Sequence, residues 1–164
     1  MRKYILLVLI LLMSVSVFSQ VNGKKFGIGF VLGEPTGLSM KYYNSSTTAF
    51  VFGIGSSYFG SPRIGMDYVW HFNAFESRIV DLYAGPGVVI GVGEGRAYYF
   101  ENKGHDHFYF RDNGTGIAAR GILGIDFTPR NTPLDIFLEI GLLLGISPNY
   151  GTAFDTAIGL RFYP

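Results

Sequence analysis

The sequence predicts an all-β chain that closes into an eight-stranded antiparallel up-and-down transmembrane β-barrel. Three observations lead to this fold class. Beyond the first segment, apolar and polar residues alternate with a period of two, and no stretch sustains a helical period. All charges within the candidate strands fall on one face. Most of the strand glycines share that face. An apolar outside with a polar inside is typical of outer-membrane barrels.

The first segment, residues 1–19, has the features of a secretory signal peptide. Two basic residues precede an apolar run from Ile5 to Met13, and small residues lie near Ser19. The apolar run is too short for a helix that spans a bilayer. We therefore expect cleavage after Ser19 and a barrel domain over residues 20–164.

The composition excludes several classes of protein. A net charge of +1 with 15% charged residues argues against a nucleic-acid surface, which would require a clustered basic patch. The absence of cysteine excludes a disulfide framework and cysteine-ligated metals. Water-soluble domains carry about 25% charged residues, whereas this chain combines few charges with 23 glycines and 48% hydrophobic residues. We infer that something other than water covers much of its surface.

The first half of the chain provides four predicted strands. Strands 26–33 and 37–43 flank the turn "EPT", and strands 47–57 and 63–72 flank the turn "YFGSP". Proline, glycine and serine in such short connections predict turns, so consecutive strands run antiparallel. The apolar face of these strands consists of Phe26, Ile28, Phe30, Leu32, Leu38, Met40, Tyr42, Phe50, Phe52, Ile54, Ile64, Met66, Tyr68, Trp70 and Phe72.

The second half provides four more strands, over residues 78–92, 114–127, 134–145 and 152–163. The first two flank a long connection, and the others are joined by "TPRNTP" and "SPNYG", which contain the residues that turns require. Their apolar face consists of Val80, Leu82, Ala84, Pro86, Val88, Ile90, Ile117, Ala119, Leu123, Ile125, Phe127, Ile136, Leu138, Ile140, Leu142, Leu144, Phe154, Ile158, Leu160 and Phe162.

The opposite face carries charges interleaved with glycine. A face in contact with water would favour bulky lysine, glutamate and threonine, whereas small residues suit the crowded interior of an eight-stranded barrel. We therefore place the charges in the lumen and the apolar face against lipid. A soluble lipocalin-like barrel in the periplasm would have the reverse arrangement and is the alternative. The expected lumen charges include Lys41, Asp67, Asp81, Arg120, Glu139, Asp155 and Arg161.

Glu139 is expected at the centre of this lumen charge cluster. Turns centred near residues 130–131 and 149 would set Arg120 opposite Gly141 and Arg161 opposite Phe137. Each arginine would then lie one diagonal step from Glu139, within reach of a long side chain. Because an unpaired buried ion is costly, charges of both signs should pair and close the lumen to ions.

Aromatic residues near the strand ends predict a girdle at a membrane interface. Tyr68, Trp70 and Phe72 lie together at one end of the fourth strand, and Phe162 with Tyr163 lies near the end of the chain. Outer-membrane barrels carry such girdles at both interfaces.

The connection from residue 93 to residue 113 is the longest. With both termini in the periplasm, it would be an external loop, in which the fifth and sixth strands continue as a hairpin around an "NKG" turn. Its aromatics could bind an extracellular protein or glycan, or could instead pack on each other or extend the girdle. The candidate residues of this external surface are Tyr98, Tyr99, Phe100, His105, His107, Phe108, Tyr109 and Phe110.

Other chemistry has weak support in the sequence. His105 and His107 flank an aspartate, but two histidines on a loop are a weak metal signal, and we expect a solvated hairpin tip with no metal and no cofactor. A lipid-modifying barrel enzyme would need a serine, a histidine and an acid in contact. His71 lies at one end of its strand, and Ser56, Ser57 and Ser61 are predicted at the opposite end. We expect no enzymatic activity, and a lipid-modifying enzyme remains the alternative.

The segments "GIGFVLGEPTGLSMKYY" at 27–43 and "AIGLRFYP" at 157–164 resemble the small OmpA/OmpX-type outer-membrane barrels. Within that group, the first hairpin is similar to that of short barrels from spirochaetes and Bacteroidetes. The resemblance implies the fold and an outer-membrane location. We expect a monomer that contacts outer-membrane lipid and binds no nucleic acid.

Overall fold

Ten β-strands make up most of the computed structural model, which describes residues 25–100, 106–111, 113–129, 132–148 and 150–164. They are β1 (Phe26–Gly33), β2 (Thr36–Tyr43), β3 (Thr48–Ser57), β4 (Gly60–Phe72), β5 (Val80–Val92), β6 (Gly95–Phe100), β7 (Asp106–Arg111), β8 (Thr115–Phe127), β9 (Leu134–Ser147) and β10 (Gly151–Phe162). No helix in these ranges has the length and hydropathy needed to cross a bilayer. The predicted signal peptide lies outside the described residues.

Eight of these strands close into an antiparallel barrel. Their order is β1-β2-β3-β4-β5-β8-β9-β10, and β10 pairs with β1 to complete the ring. The predicted all-β fold class, with eight consecutive antiparallel strands in a closed barrel, is confirmed. Closure leaves no unpaired sheet edge around the wall, apart from the rims where strand lengths differ.

The predicted strand boundaries agree with the structure to within a few residues. The largest shift is at β4, which begins at Gly60 rather than at residue 63 because Gly60 pairs with Ser57 around a two-residue turn. β9 continues to Ser147, two residues beyond its predicted end. The predicted turn "YFGSP" is therefore mostly strand.

The long connection contains a hairpin, as predicted. β6 and β7 pair from Gly95 with Arg111 to Phe100 with Asp106. The structure adds a contact that the sequence did not indicate, since Tyr98 of β6 pairs with Thr152 of β10. The hairpin thus extends the barrel wall at β10.

The two faces of the wall differ as predicted. Phe30 is 69% exposed and Leu138 is 50% exposed on the outside, whereas Lys41 and Arg161 are fully buried inside. Large apolar side chains of all eight barrel strands are exposed on the outer face. A folded wall that exposes this much apolar surface requires a covering other than water.

Glycine on the inner face makes room for large lumen side chains. A Cβ on Gly124 would lie 2.3 Å from the ring of Tyr83, and one on Gly159 would lie 2.2 Å from the ring of Phe137. Tyr83 and Phe137 are both buried in the lumen. Gly124 and Gly159 therefore make room for these two rings by direct contact.

The turn between β3 and β4 folds into one mouth of the barrel. Phe59 of this turn is buried against Val89, Ala118, Leu143 and Ala153. This apolar layer lies inside the barrel at the end where the β6–β7 hairpin is attached, and the charged residues lie between it and the opposite end.

Candidate functional site

Arg120 on β8 joins three strands across the middle of the lumen. It forms an ion pair with Asp67 on β4. Its Nε lies 3.2 Å from Asp155 Oδ2 on β10, and its Nη2 lies 3.7 Å from Glu139 Oε2 on β9. All four side chains are buried. One guanidinium therefore links three carboxylates that come from three different strands.

Arg63 on β4 also binds Asp155, from the side nearer to the mouth of the barrel that contains Phe59. The guanidinium contacts both carboxylate oxygens, with Nη1 donating to Oδ1 at 3.0 Å and Nη2 bonded to Oδ2. Nη1 also donates to Ser57 Oγ at 3.2 Å. Such a bidentate pair fixes geometry as well as charge.

Tyr58 covers this pair at the mouth. Its hydroxyl donates to the Phe154 carbonyl at 2.7 Å and lies 3.2 Å from Asp155 Oδ1. Burial raises the pKa of the Tyr58 phenol, and the charge of Asp155 raises it further. Tyr58 therefore remains a proton donor at neutral pH.

Arg161 on β10 forms the next layer. Its Nη2 donates to Glu139 Oε1 at 3.0 Å, and its Nε donates to Ser39 Oγ at 3.0 Å. The guanidinium carbon lies 3.5 Å from the centroid of the Phe137 ring, so the cation also stacks on an aromatic face. Tyr83 donates to Glu139 Oε1 at 2.6 Å.

A third layer lies near the end of the barrel that carries the termini. Lys41 pairs with Asp126, and its ammonium lies 4.5 Å from the centroid of the Tyr83 ring. His71 Nε2 lies 3.3 Å from Asp126 Oδ2 and 3.5 Å from the Tyr43 hydroxyl. Hydrogen-bonded aromatics thus surround the charges of this layer.

The structure brings the predicted trio of Arg120, Glu139 and Arg161 together, although by a different register. Arg120 lies opposite Leu143 rather than Gly141, and Arg161 lies opposite Asp135 rather than Phe137. Each turn is centred about one residue from its predicted position, which moves the cross-strand partner by two. The side chains still reach Glu139 because arginine is long and the lumen is narrow.

Asp81 does not join the predicted charge cluster. It is half-buried and lies opposite Asp126 at the end of β5. Among the described residues it forms no ion pair. Its inward parity was assigned correctly, but its cross-strand neighbour is another carboxylate, Asp126, whose ion pair is with Lys41.

The lumen contains charged and neutral partners that the predicted cluster omitted. Arg63, Asp126 and Asp135 lie on the charged face of the predicted strands, and this alternation could have identified them as members of the lumen charge cluster.

Tyr163 was predicted to belong to the girdle, and this is wrong. It is 4% exposed, and its hydroxyl donates to Asp135 Oδ2 at 3.2 Å. Its odd position continues the inner face of β10, whereas proximity to the end of the chain suggested the girdle.

The remaining predicted girdle residues lie on the outer face. Trp70, Phe72 and Phe162 are exposed, and Tyr68 is half-buried with its ring centroid 5.1 Å from that of Trp70. Their contact with a membrane interface stays a prediction.

The predicted external surface is described only in its backbone. Tyr98, Tyr99 and Phe100 lie on β6, and β7 includes His107, Phe108, Tyr109 and Phe110. Their side chains and all of His105 lie outside the described part of the chain, and so does the weak metal motif. Within the described part, no group of three or more histidine, aspartate or glutamate side chains is arranged to hold a metal ion.

The lumen as described is a packed set of opposite charges. Four cations, Lys41, Arg63, Arg120 and Arg161, face five carboxylates, Asp67, Asp126, Asp135, Glu139 and Asp155, and none is more than 7% exposed. The arrangement binds strands to one another across the barrel.

Comparisons with known proteins support the fold. No protein-family model matches the chain, and no curated protein sequence matches it. The crystal structure of the N-terminal β-barrel domain of Pseudomonas aeruginosa OprF is similar, with a TM-score of 0.55 at 12% sequence identity. The match covers 85% of this chain and 96% of that domain. The chain therefore has the fold of a small OmpA-like barrel.

Proposed function

We propose that this chain is a non-enzymatic outer-membrane β-barrel protein with a structural or surface-binding role. In this proposal it spans the membrane as a monomer with both termini in the periplasm. Packed ion pairs close its lumen, and the hairpin connection 93–113 faces outwards, where an extracellular protein or glycan could bind it.

The observation that carries the proposal is the apolar outer face of a closed wall. Ile140, Ile64 and Ile158, from three different barrel strands, are each more than half exposed. Hydrocarbon tolerates only spanning structures whose backbone groups are all paired, which a closed barrel provides. β9 has 14 residues and β1 has eight, compared with about nine to eleven for a tilted span. The wall is therefore tall enough for a bilayer except at the first hairpin.

The position of His71 supports a role without catalysis. It contacts Asp126 and Tyr43, whereas Ser61 lies ten residues away along β4. At about 3.3 Å per residue, this separation is roughly 30 Å, far beyond hydrogen-bond reach. Ser56 and Ser57 lie at the same far end. Among the described residues, the side chain of His71 forms hydrogen bonds with Asp126 and Tyr43 and with no serine.

The first hairpin supports a closer kinship. The segment 27–43 resembles the opening hairpin of short barrels from spirochaetes and Bacteroidetes, and in the structure it forms β1 and β2 around the Glu34–Pro35 turn. We include membership of that group in the proposal on the strength of this motif.

Cell fractionation tests the location. The protein should sediment with the outer membrane, resist extraction by high salt and carbonate, and dissolve only in detergent. Release by osmotic shock as a water-soluble protein would overturn the proposal in favour of a soluble periplasmic barrel.

An activity assay tests the absence of catalysis. The purified, folded barrel is incubated with labelled lipid A and with labelled phospholipid, and the products are separated by chromatography. We expect no turnover with the wild-type protein. Turnover that disappears in a folded His71→Ala variant would show the lipid-modifying alternative to be right.

A further inference from the structure

The barrel strands are strongly tilted, and their pairing shows by how much. A line of directly paired residues runs from Gly29 on β1 through every successive barrel strand and ends at Gly151 on β10. Across the closing seam, however, Gly29 pairs with Arg161, ten residues further along β10. In an eight-stranded barrel, such a stagger corresponds to a strand tilt of about 40°. The line climbs by about 3 Å per strand from β1 through β2 towards the end with the β6–β7 hairpin, and it descends in the opposite direction.

The β1–β2 hairpin ends well below the neighbouring strand. Gly33, the last residue of β1, pairs with Ala157, whereas β10 continues for six residues beyond Ala157, to Gly151. With about 3.3 Å per residue and this tilt, the tip of β1 lies about 12 Å below the rim at β10. At the opposite end the two strands finish nearly level, because Ile28 pairs with Phe162, the last residue of β10. The wall is therefore short on one side, and only at the end with the β6–β7 hairpin.

The apolar outer face is shorter on this side as well. On β9 the exposed apolar side chains run from Ile136 to Ile146. They span about 25 Å of height, which is the usual apolar band of an outer-membrane barrel. On β1 they run from Phe26 to Leu32, which spans only about 15 Å.

Polar groups lie directly above this short band. The turn at Glu34 and Pro35 ends the hairpin. On β2 and β3 the outer face ends with Thr36 and Ser56, which are exposed and paired with each other. β9 continues its apolar face with exposed Leu144 and Ile146 beyond the height of this tip.

We propose that the outer leaflet of the membrane is thinned beside the β1–β2 hairpin, so that polar lipid headgroups contact its tip at Thr36 and Ser56. The proposal rests on the membrane location proposed above. Hydrocarbon does not accommodate a lipid-exposed turn, because the backbone groups of the turn would lack partners. A bilayer can instead thin beside a short apolar span at modest cost. Headgroups that descend to the Glu34–Pro35 turn satisfy both conditions.

Two other ways to bridge the short side fit the structure less well. Tilting the whole barrel to raise this side would draw the β2–β3 turn, with exposed Asn44 and Ser45, into hydrocarbon from the opposite end. The β6–β7 hairpin does not lengthen β1, because its described pairing with β10 is at Thr152, five residues beyond Ala157.

Tryptophan depth measurements test the proposal at two positions of equal height. Leu32 lies on one line of pairs with Ile158 and Leu138. The tilt lowers this line by about 6 Å between β1 and β9, so Leu32 is level with Ile140, one outward position above Leu138. Trp70→Phe removes the single native tryptophan. Leu32→Trp or Ile140→Trp is then introduced into this background.

Each variant is refolded into phosphatidylcholine vesicles whose lipids carry bromine either near the headgroup or near the end of the acyl chain. Bromine quenches tryptophan fluorescence on contact, so the better quencher reports the depth of the side chain. We expect the shallow bromine to quench Leu32→Trp more strongly, and the deep bromine to quench Ile140→Trp more strongly. Stronger quenching by the deep bromine at both positions would overturn the proposal, because it would place both at the centre of a bilayer of uniform thickness.

The remaining outcomes separate this proposal from the location on which it rests. Quenching of Ile140→Trp with none of Leu32→Trp would mean that a second copy of the chain covers the hairpin, which overturns the thinning. No quenching at either position of a folded barrel would overturn the membrane location and the thinning with it. If Leu32→Trp does not reach the folded mobility on SDS gels, Leu38→Trp on β2 replaces it, since Leu38 pairs with Phe30 and lies at nearly the same height.

Discussion

At the scale of single residues, the long side chain of arginine lets the lumen charge cluster form although the strand register differs from the predicted one. Arg120 and Arg161 both reach Glu139 although each stands two residues from its expected cross-strand position. Parity therefore mattered more than register, because parity decides whether a side chain enters the lumen at all. Asp81 has a short side chain and lies opposite another carboxylate, Asp126, so it forms no ion pair among the described residues and was placed in the cluster wrongly.

Glu139→Gln tests the importance of the central carboxylate. The substitution removes the negative charge that Arg161 contacts at 3.0 Å and Arg120 at 3.7 Å, and it leaves Arg161 with only the more distant carboxylates of Asp126 and Asp135. We expect a loss of about 3–5 kcal/mol in the free energy of unfolding, as for breaking a buried pair. Urea titration in detergent measures it. Glu94→Gln, at an exposed glutamate in a turn, is the control and should change little. Equal stability of the two variants would mean that Glu139 contributes nothing specific.

At the scale of strands, unequal lengths leave one rim of the wall uneven. The last pair between β1 and β10 joins Gly33 to Ala157, whereas β10 pairs with β9 as far as Gly151. Three different partners cover successive parts of the exposed edge of β10. Glu34 N donates to the Thr156 carbonyl, Tyr58 donates to the Phe154 carbonyl, and β6 pairs at Thr152. Residues of two turns and of the β6–β7 hairpin thus bind the edge of β10 where the short β1–β2 hairpin does not reach it.

Tyr58→Phe tests this covering of the β10 edge. The variant loses the hydrogen bonds to the Phe154 carbonyl and Asp155 while keeping the ring, so we expect a cost of about 1–2 kcal/mol. The midpoint of heat denaturation on SDS gels measures the change. Tyr150→Phe, at a tyrosine that is 75% exposed, is the matched control and should match the wild type. An unchanged midpoint for Tyr58→Phe would show that the rim needs no such bond.

Trypsin tests the proposed orientation of the hairpin, because cleavage sites occur at both ends of the barrel. Arg96, Lys103 and Arg111 lie in the 93–113 connection, and exposed Arg78 lies in the β4–β5 turn at the opposite end. We expect trypsin added to intact cells to cut the connection and to spare Arg78, which becomes accessible only after the outer membrane is opened. The reverse order of cleavage would invert the topology.

At the scale of the whole molecule, the features that repeat along every strand could be predicted from the sequence. The features that depend on a single long-range contact could not. The strand count, closure and both faces follow from alternation and from the segregation of charge. The pairing of Tyr98 with Thr152 and the inward fold of Phe59 depend on long-range contacts that no local pattern encodes. The surroundings of an inward glycine depend on such contacts too: a Cβ on Gly124 would lie 2.3 Å from Tyr83, whereas one on Gly65 would come no closer than 3.6 Å to another atom, and the two glycines look identical in sequence.

Leu138→Arg tests whether the outer face meets lipid. Leu138 is 50% exposed near the middle of β9, and Ile146 on the same strand and face is 52% exposed near its end. Arginine at the bilayer centre should cost about 2–4 kcal/mol, falling to about 0–1 kcal/mol near an interface. Refolding into vesicles followed by urea titration measures both variants. Equal costs for Leu138→Arg and Ile146→Arg would contradict a membrane-spanning wall, since water treats the two positions alike.

The charge layers together predict a barrel that does not conduct. Arg63, Arg120 and Arg161 cross the lumen at successive heights and bind carboxylates of other strands. The apolar layer around Phe59 adds a further closure at one mouth. An ion entering such a space would have to separate buried pairs, each held in a medium that strengthens their attraction. Planar bilayer recordings of the wild-type protein should therefore show no steady open current, with protection of the barrel strands from trypsin in parallel vesicles as proof that the barrel is inserted. A stable open conductance from inserted, unmodified protein would show that the lumen charges line a pore instead of filling the barrel.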